Sequence, residues 1–257
     1  MSWAFEHLRS LVRHGGTTGR ELAIDVAQCL ESFDDDAALV MALRRACAQR
    51  RDEAPMWWVA ARVLCAANSR GAAIEAADAL MDDPTLDRVA DALPFPHDQP
   101  VAVVGDAAVV ADLSWRRPDL DLVSVRLPGG GTMRALREAG ASVRVVGDLE
   151  VSALEPSHVL AVPGWATPDG AWLPSGARAV LDTNATADRW LLVPRGRALP
   201  PALGNTMASR LDPLDATLED TPLVTFGSAV GPHGRGPVCD VVAATDCPVA
   251  AELLRLD

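Results

Sequence analysis

The sequence has no lysine and no tyrosine. All 23 of its basic residues are arginine. That excludes a Schiff-base lysine, the phosphate-binding lysine of a P-loop and any lysine acting as acid or base. Cysteine is sparse, at five residues (Cys29, Cys47, Cys65, Cys239, Cys247), an odd number with no C-x-x-C pair. Neither a disulfide framework nor zinc spacing is present, and no metal and no cofactor are expected. Cys29 and Cys65 fall within apolar helical patterns and are expected to be buried thiols. No apolar run approaches the ~18 residues of a membrane span. The opening MSWAFEHLRSLVRHGG lacks the basic-then-apolar layout of a signal peptide. A cytoplasmic protein with no membrane partner is the expectation. An excess of positive charge is missing too: the net charge is −12. That argues against nucleic acid as a partner, although it leaves room for a local cationic pocket.

What is present is apolar material, 49% of 257 residues, enough for one large domain or two modest ones at roughly 150 residues each. Residues 1–93 read as a helical domain. Leu22, Val26, Cys29, Leu30 and Phe33 recur at threes and fours, as do Leu39, Val40, Leu43 and Cys47. Met56, Val59, Ala60, Val63, Leu64 and Ala67 form a third such face; the neighbouring pair Trp57-Trp58 is expected to pack in the core, with a partner-binding face as the alternative. Shorter helices are expected at 71–81 and 85–93. Asp34, Asp35 and Asp36 precede the second pattern, where negative charge suits a helix start. Residues 94–100 form a proline-rich linker, in which His97 is expected to be solvated.

From 101 to 257 the period changes. VAVV (101–104), LVSV (122–125), VRVV (143–146), VLAV (159–162) and WLLV (190–193) are short, largely β-branched runs. Helices are expected in TMRALREAG and SGARAVLDTNATADR. Strands alternating with helices imply a parallel sheet covered on both faces. The fold class is therefore α/β, an N-terminal helical domain followed by a Rossmann-like sheet domain with a C-terminal tail. In that tail PLVTF (222–226) reads as one more strand.

Open α/β sheets place ligands just past the carboxyl ends of their strands. The first strand ends in Gly105-Asp106, without the further glycines of a dinucleotide fingerprint; Asp106 is either a helix cap or a pocket residue. The second ends in Arg126 and runs through Gly129, Gly130 and Gly131 to Thr132 at a helix start. A guanidinium, bare backbone donors and a helix N-terminus suit a phosphate. The fourth ends in PGWATPDGAWLPSG. There Trp165 and Trp172 are either lids or plugs, and Asp169 sits in a Pro-Asp-Gly turn. Ser175 opens the next helix, and Arg195 follows the fifth strand.

This order (strand-GDAA, RPDLDLVSVR, RALREAG, VRVV, VLAVPGWATPDG, WLLVP) resembles the regulatory alpha, beta and delta subunits of eukaryotic translation initiation factor 2B. The family includes methylthioribose-1-phosphate isomerase and ribose-1,5-bisphosphate isomerase. The similarity spans residues 101 to about 240, and the helical domain only by layout; the tail TDCPVAAELL is like that of short bacterial members. The resemblance implies a helical domain, a Rossmann-like domain and a homodimer. It also implies that the isomerases' catalytic aspartate, at the end of a Gly-Ala-Asp strand, is replaced here by Trp165 in Pro163-Gly164-Trp165. The partner cysteine is missing, since none lies between 66 and 238. Each positioned acid or base is worth roughly 10²- to 10⁴-fold.

The leading expectation is a non-catalytic, regulatory protein that binds a sugar phosphate or nucleotide. Arg126, Gly131 and Thr132 would hold the phosphate, with Gly105, Asp106 and Trp165 on the sugar side and Ser175 and Arg195 at the rim. An isomerase of a phosphorylated pentose with Asp106 or Asp169 as base is the alternative. An interaction module with a vestigial pocket is the third.

Overall fold

A computed structural model describes residues 3–13, 19–33, 35–94, 99–127, 136, 143–211 and 217–255. Its first elements are the helices α1 (Trp3–Arg13), α2 (Gly19–Leu30), α3 (Asp36–Gln49), α4 (Ala54–Cys65), α5 (Ser69–Met81) and α6 (Thr85–Ala92). Asp35 caps α3, its carboxylate accepting the Ala37 N–H at 3.0 Å, so this acid supplies an orphan helix donor with a partner. The Asn68 side chain does the same for Gly71 at the start of α5.

The contacts gather the chain into two compact units. One comprises Met1–Asp83, Arg195–Asp212 and Thr245–Asp257; the other comprises Pro84–Pro194 and Pro213–Ala244. This differs from a linear division at the proline-rich segment. α6 groups with the sheet because Leu86, Val89 and Leu93 share a core with Val101 and Val103. The stretches around 195–212 and 245–257 group with the first helices.

In the helical unit α4 is the centre, packed against α2, α3 and α5. Trp57 and Trp58 are wholly buried core residues. The Trp57 indole donates to the Arg50 carbonyl at 3.1 Å and the Trp58 indole to Asp246 Oδ1 at 2.7 Å. Gly196, at φ +83°, lies so close to α4 that a Cβ would stand 3.0 Å from Pro55 Cα. Cys29 and Cys47 are buried, but Cys65 is exposed at the last turn of α4, against expectation: the apolar stripe has rotated off the core by that position.

The other unit carries a seven-stranded sheet. Its strands are β1 (Val101–Val104), β2 (Leu122–Arg126), β3 (Arg144–Gly147), β4 (His158–Ala161), β7 (Asp188–Leu192), β9 (Ser228–Gly231) and β10 (Gly234–Gly236), in the order β10-β9-β7-β4-β1-β2-β3. All neighbours are parallel except β10 on β9. The six parallel strands follow the 3-2-1-4-5-6 order of dinucleotide folds. β1 is buried along its whole length, which is why its sequence is continuously apolar rather than alternating. The helix α7 (Ala107–Arg116) joins β1 to β2. A separate three-stranded antiparallel sheet, β5 (Trp165–Thr167), β6 (Gly170–Pro174) and β8 (Leu218–Thr221), has β6 in its centre.

PLVTF is not a strand. Leu223–Thr225 is a 3₁₀ turn between β8 and β9; a proline ahead of it removes a ladder donor, and Val224 is exposed. The expected helix TMRALREAG lies outside the described residues except for Leu136, which is buried in the sheet core. Arg117, just past α7, closes the end of α6. Its guanidinium donates to the carbonyls of Ala90, Leu93 and Pro94 at 2.8–3.1 Å and forks onto Asp119 with two bonds of 2.8 Å. Orphan carbonyls at a helix end are thereby paired.

Candidate functional site

In a sheet of this order the ligand crevice falls where the chain reverses direction across the sheet. Here that is between β1 and β4. Val104 pairs with Val125 on β2 and with Ala161 on β4. One residue further on, Gly105 is therefore flanked by Arg126 and Val162. Arg126 in turn pairs with Gly147. The carboxyl edge reads Val162, Gly105, Arg126, Gly147, with about 4.8 Å between neighbours.

Gly105 has φ +118°, and a Cβ there would stand 2.5 Å from the Val162 carbonyl oxygen. Only glycine fits. Arg126 is exposed at the end of an otherwise buried strand, and among the described residues no carboxylate forms an ion pair with it. Gly105, just past β1, and Gly147, at the end of β3, place no side chain of their own beside this guanidinium. The Gly147 amide is taken by Glu150 Oε2 at 2.7 Å. No motif singles out Gly147 in the sequence; the signal that finds it is the register of VRVVG against LVSVR.

Asp106 follows Gly105 and caps α7, accepting the Ala108 N–H at 3.0 Å. Gly131 and Thr132, in the glycine turn expected to cradle phosphate, lie outside the described residues.

Trp165 is wholly buried and stacks on Trp172 with ring centroids 5.1 Å apart at 20°. The two are direct partners across β5 and β6. Trp165 is therefore packed as a plug with no accessible surface, and its Nε1 has no hydrogen-bond partner. Asp169 is exposed at the tip of that hairpin, its N–H on Thr167 Oγ1 at 3.2 Å, in a different sheet from the Gly105 row.

Ser175 donates its N–H to the Thr217 carbonyl at 2.9 Å. The helix it precedes, Ala177–Thr183, already has an anion at its start, since the Arg178 N–H donates to Glu219 Oε1 at 2.8 Å. Arg195 belongs to the helical unit. Its guanidinium pairs with Asp246 Oδ2 at 2.8 Å and its N–H with Asp83 Oδ2 at 2.8 Å. Asp246 also meets Arg62 at 3.4 Å and accepts from Trp58. This tie is invisible in the sequence, because its members come from three distant stretches.

The Gly105 row thus offers one cation, Arg126, and two nearby carboxylates that are each engaged by backbone N–H groups, Asp106 on Ala108 and Glu150 on Gly147. Among the described residues no group of three or more histidines, cysteines or acids is placed to hold a metal. No described helix is long and apolar enough to cross a membrane.

These features define an α/β protein with a helical unit and a sheet of dinucleotide-fold order that presents an exposed arginine at its crevice edge. More particularly, the chain has the fold of translation initiation factor 2B subunits. It matches the beta subunit from Chaetomium thermophilum with a TM-score of 0.60 at 16% identity, over 97% of this chain and 91% of that one. It matches translation initiation factor eIF-2B from Pyrococcus horikoshii OT3 with 0.63 at 14%, over 92% and 98%. For the delta subunit from A. fulgidus the values are 0.57 at 13%, over 93% and 91%. At such identities the likeness is one of fold. No protein-family model and no characterised protein sequence matches.

Proposed function

We propose that the sheet unit binds a phosphorylated small molecule, a sugar phosphate or nucleotide, at the carboxyl edge of β1 and β2 and does not interconvert it. The observation that carries this reading is Arg126: exposed, without a carboxylate partner among the described residues, and beside a Gly105 that admits no side chain. It also stands about twenty residues past Gly105, where dinucleotide folds put the residue that reads the ribose, and where arginine accommodates a phosphate. The reading without turnover is supported by Trp165, a buried indole that stands where the resemblance to the isomerases would put a carboxylate.

Ribose 5-phosphate, methylthioribose 1-phosphate and nucleoside monophosphates, titrated with melting temperature as readout, test the reading. A ligand at 100 times its dissociation constant adds about 2.7 kcal/mol. Arg126→Ala is expected to weaken binding roughly ten- to hundredfold, the loss of charge-assisted hydrogen bonds, while leaving the unliganded melt unchanged. Equal affinity in parent and variant would refute the site.

A second reading, an isomerase, is favoured by Asp106 alone, a carboxylate one residue beyond Gly105. Solvent-deuterium incorporation into the bound sugar that disappears in Asp106→Asn would establish it.

A further inference from the structure

A second recess lies in the helical unit, between α1 and α3, with a volume of about 430 Å³. Phe5, Leu8 and Val12 recur at threes and fours along α1 and form one wall. The facing wall is α3, which presents the small residues Ala42, Ala46 and Ala48. Leu8, Val12, Ala42 and Ala46 are buried, so the floor is apolar, and the space exists because alanines face the larger side chains. The recess is bracketed at two heights: the Arg45 guanidinium lies 5.4 Å from the Phe5 ring centre, and Arg50 Nε donates to the Val12 carbonyl at 2.9 Å.

The rim is what identifies the occupant. Arg9, Arg13 and Arg45 line it and, among the described residues, no carboxylate does, although acids outnumber arginines 35 to 23 in the chain. Arg9 has one exposed pairing with Glu6, at 3.7 Å. Among the described residues Arg13 and Arg45 have no ion pair. Arg9 and Arg13 are one helical turn apart, a like-charge spacing that weakens a helix unless an anion relieves it. A recess of this size falls in the range of small-molecule sites, roughly 300–1,000 Å³.

We propose that this recess binds a small organic anion with an apolar body, the body on Phe5, Leu8 and Val12 and the acidic head among Arg9, Arg13 and Arg45. The site is separate from the Gly105 row, and neither depends on the other.

The test uses two fluorescent probes with the same body: 8-anilinonaphthalene-1-sulfonate, and N-phenyl-1-naphthylamine, which lacks the sulfonate. The sulfonate is expected to bind the parent saturably, and roughly tenfold or more tighter than the neutral probe, as charge-assisted bonds require. Arg13→Glu combined with Arg45→Glu, both exposed positions, should abolish that preference in a chain whose circular dichroism is unchanged. Ala46→Leu should fill the recess and exclude both probes, whereas Arg126→Ala should alter neither. Equal binding of the two probes, or a charge-reversed variant that binds the sulfonate like the parent, overturns the proposal. So does sedimentation showing a parent dimer that charge reversal dissociates, since a second copy would then be the occupant.

Discussion

Glu53 is a residue at which burial outweighs attraction. Its carboxylate accepts the Gly19 N–H at 2.7 Å and has Arg197 and Arg50 nearby, yet desolvation lifts its carboxyl above the ordinary 4.5. The folded chain therefore holds that proton more tightly than the unfolded chain. The stability this contributes is full below about pH 4.5 and is lost as pH rises through the folded value. Glu53→Gln keeps an acceptor for Gly19 and removes the charge. Its melting temperature is expected to exceed the parent's at neutral pH and to stay level across that window, as calorimetry at stepped pH would read. A parent that gains on the variant as pH rises would contradict the assignment. Asp119 has the opposite sign: the Arg117 fork holds its carboxyl below 3.8, so its contribution is present above that value and lost in acid. Neither role is legible in the sequence. Arg117 sits in RRPDLD, which reads as a polar turn, and its carbonyl partners lie more than twenty residues earlier. Gly105 and Arg126, by contrast, are legible, because strand ends follow from the apolar runs.

Among elements, the β5–β6 hairpin is the least readable. Its ladder pairs Trp165 with Trp172 and Ala166 with Ala171, and tryptophan beside proline and glycine reads equally as a loop. β8, the edge sequence LEDT, has too little apolar character to stand out and is recognisable only through its pairing with β6. The central parallel strands β1, β2, β4 and β7 are plain for the opposite reason, since burial on both faces forces an apolar run, whereas β9, the short SAVG, has too little bulk to stand out and escapes the sequence reading. Trp165→Ala should cost about 3–5 kcal/mol, the usual range for emptying so large a buried site. Trp165→Phe should cost distinctly less, because the buried Nε1 has no bond to lose. Urea unfolding of both variants measures the difference. Equal losses would mean that the indole nitrogen is bonded in solution.

For the whole molecule the governing quantity is charge. A net −12 repels itself in the folded state. Many of the described ion pairs, such as Arg116–Asp87 and Arg144–Asp121, are exposed and worth little each. Raising sodium chloride toward 1 M shrinks the screening length to about 3 Å and is expected to raise the melting temperature. A melt that falls with salt would show that the surface pairs outweigh the net repulsion.

The division of the chain bears on how the protein is made. A ribosome delivers α1 to α5 first, yet Asp246, which holds the Trp58 indole and the guanidiniums of Arg62 and Arg195, emerges 188 residues after that tryptophan. Until synthesis has passed the aspartate, the earliest helices wait with an indole donor, Trp58, and one cation, Arg62, lacking this partner. A segment written late thus finishes what was written first, and cutting it away would injure the beginning of the protein rather than its end.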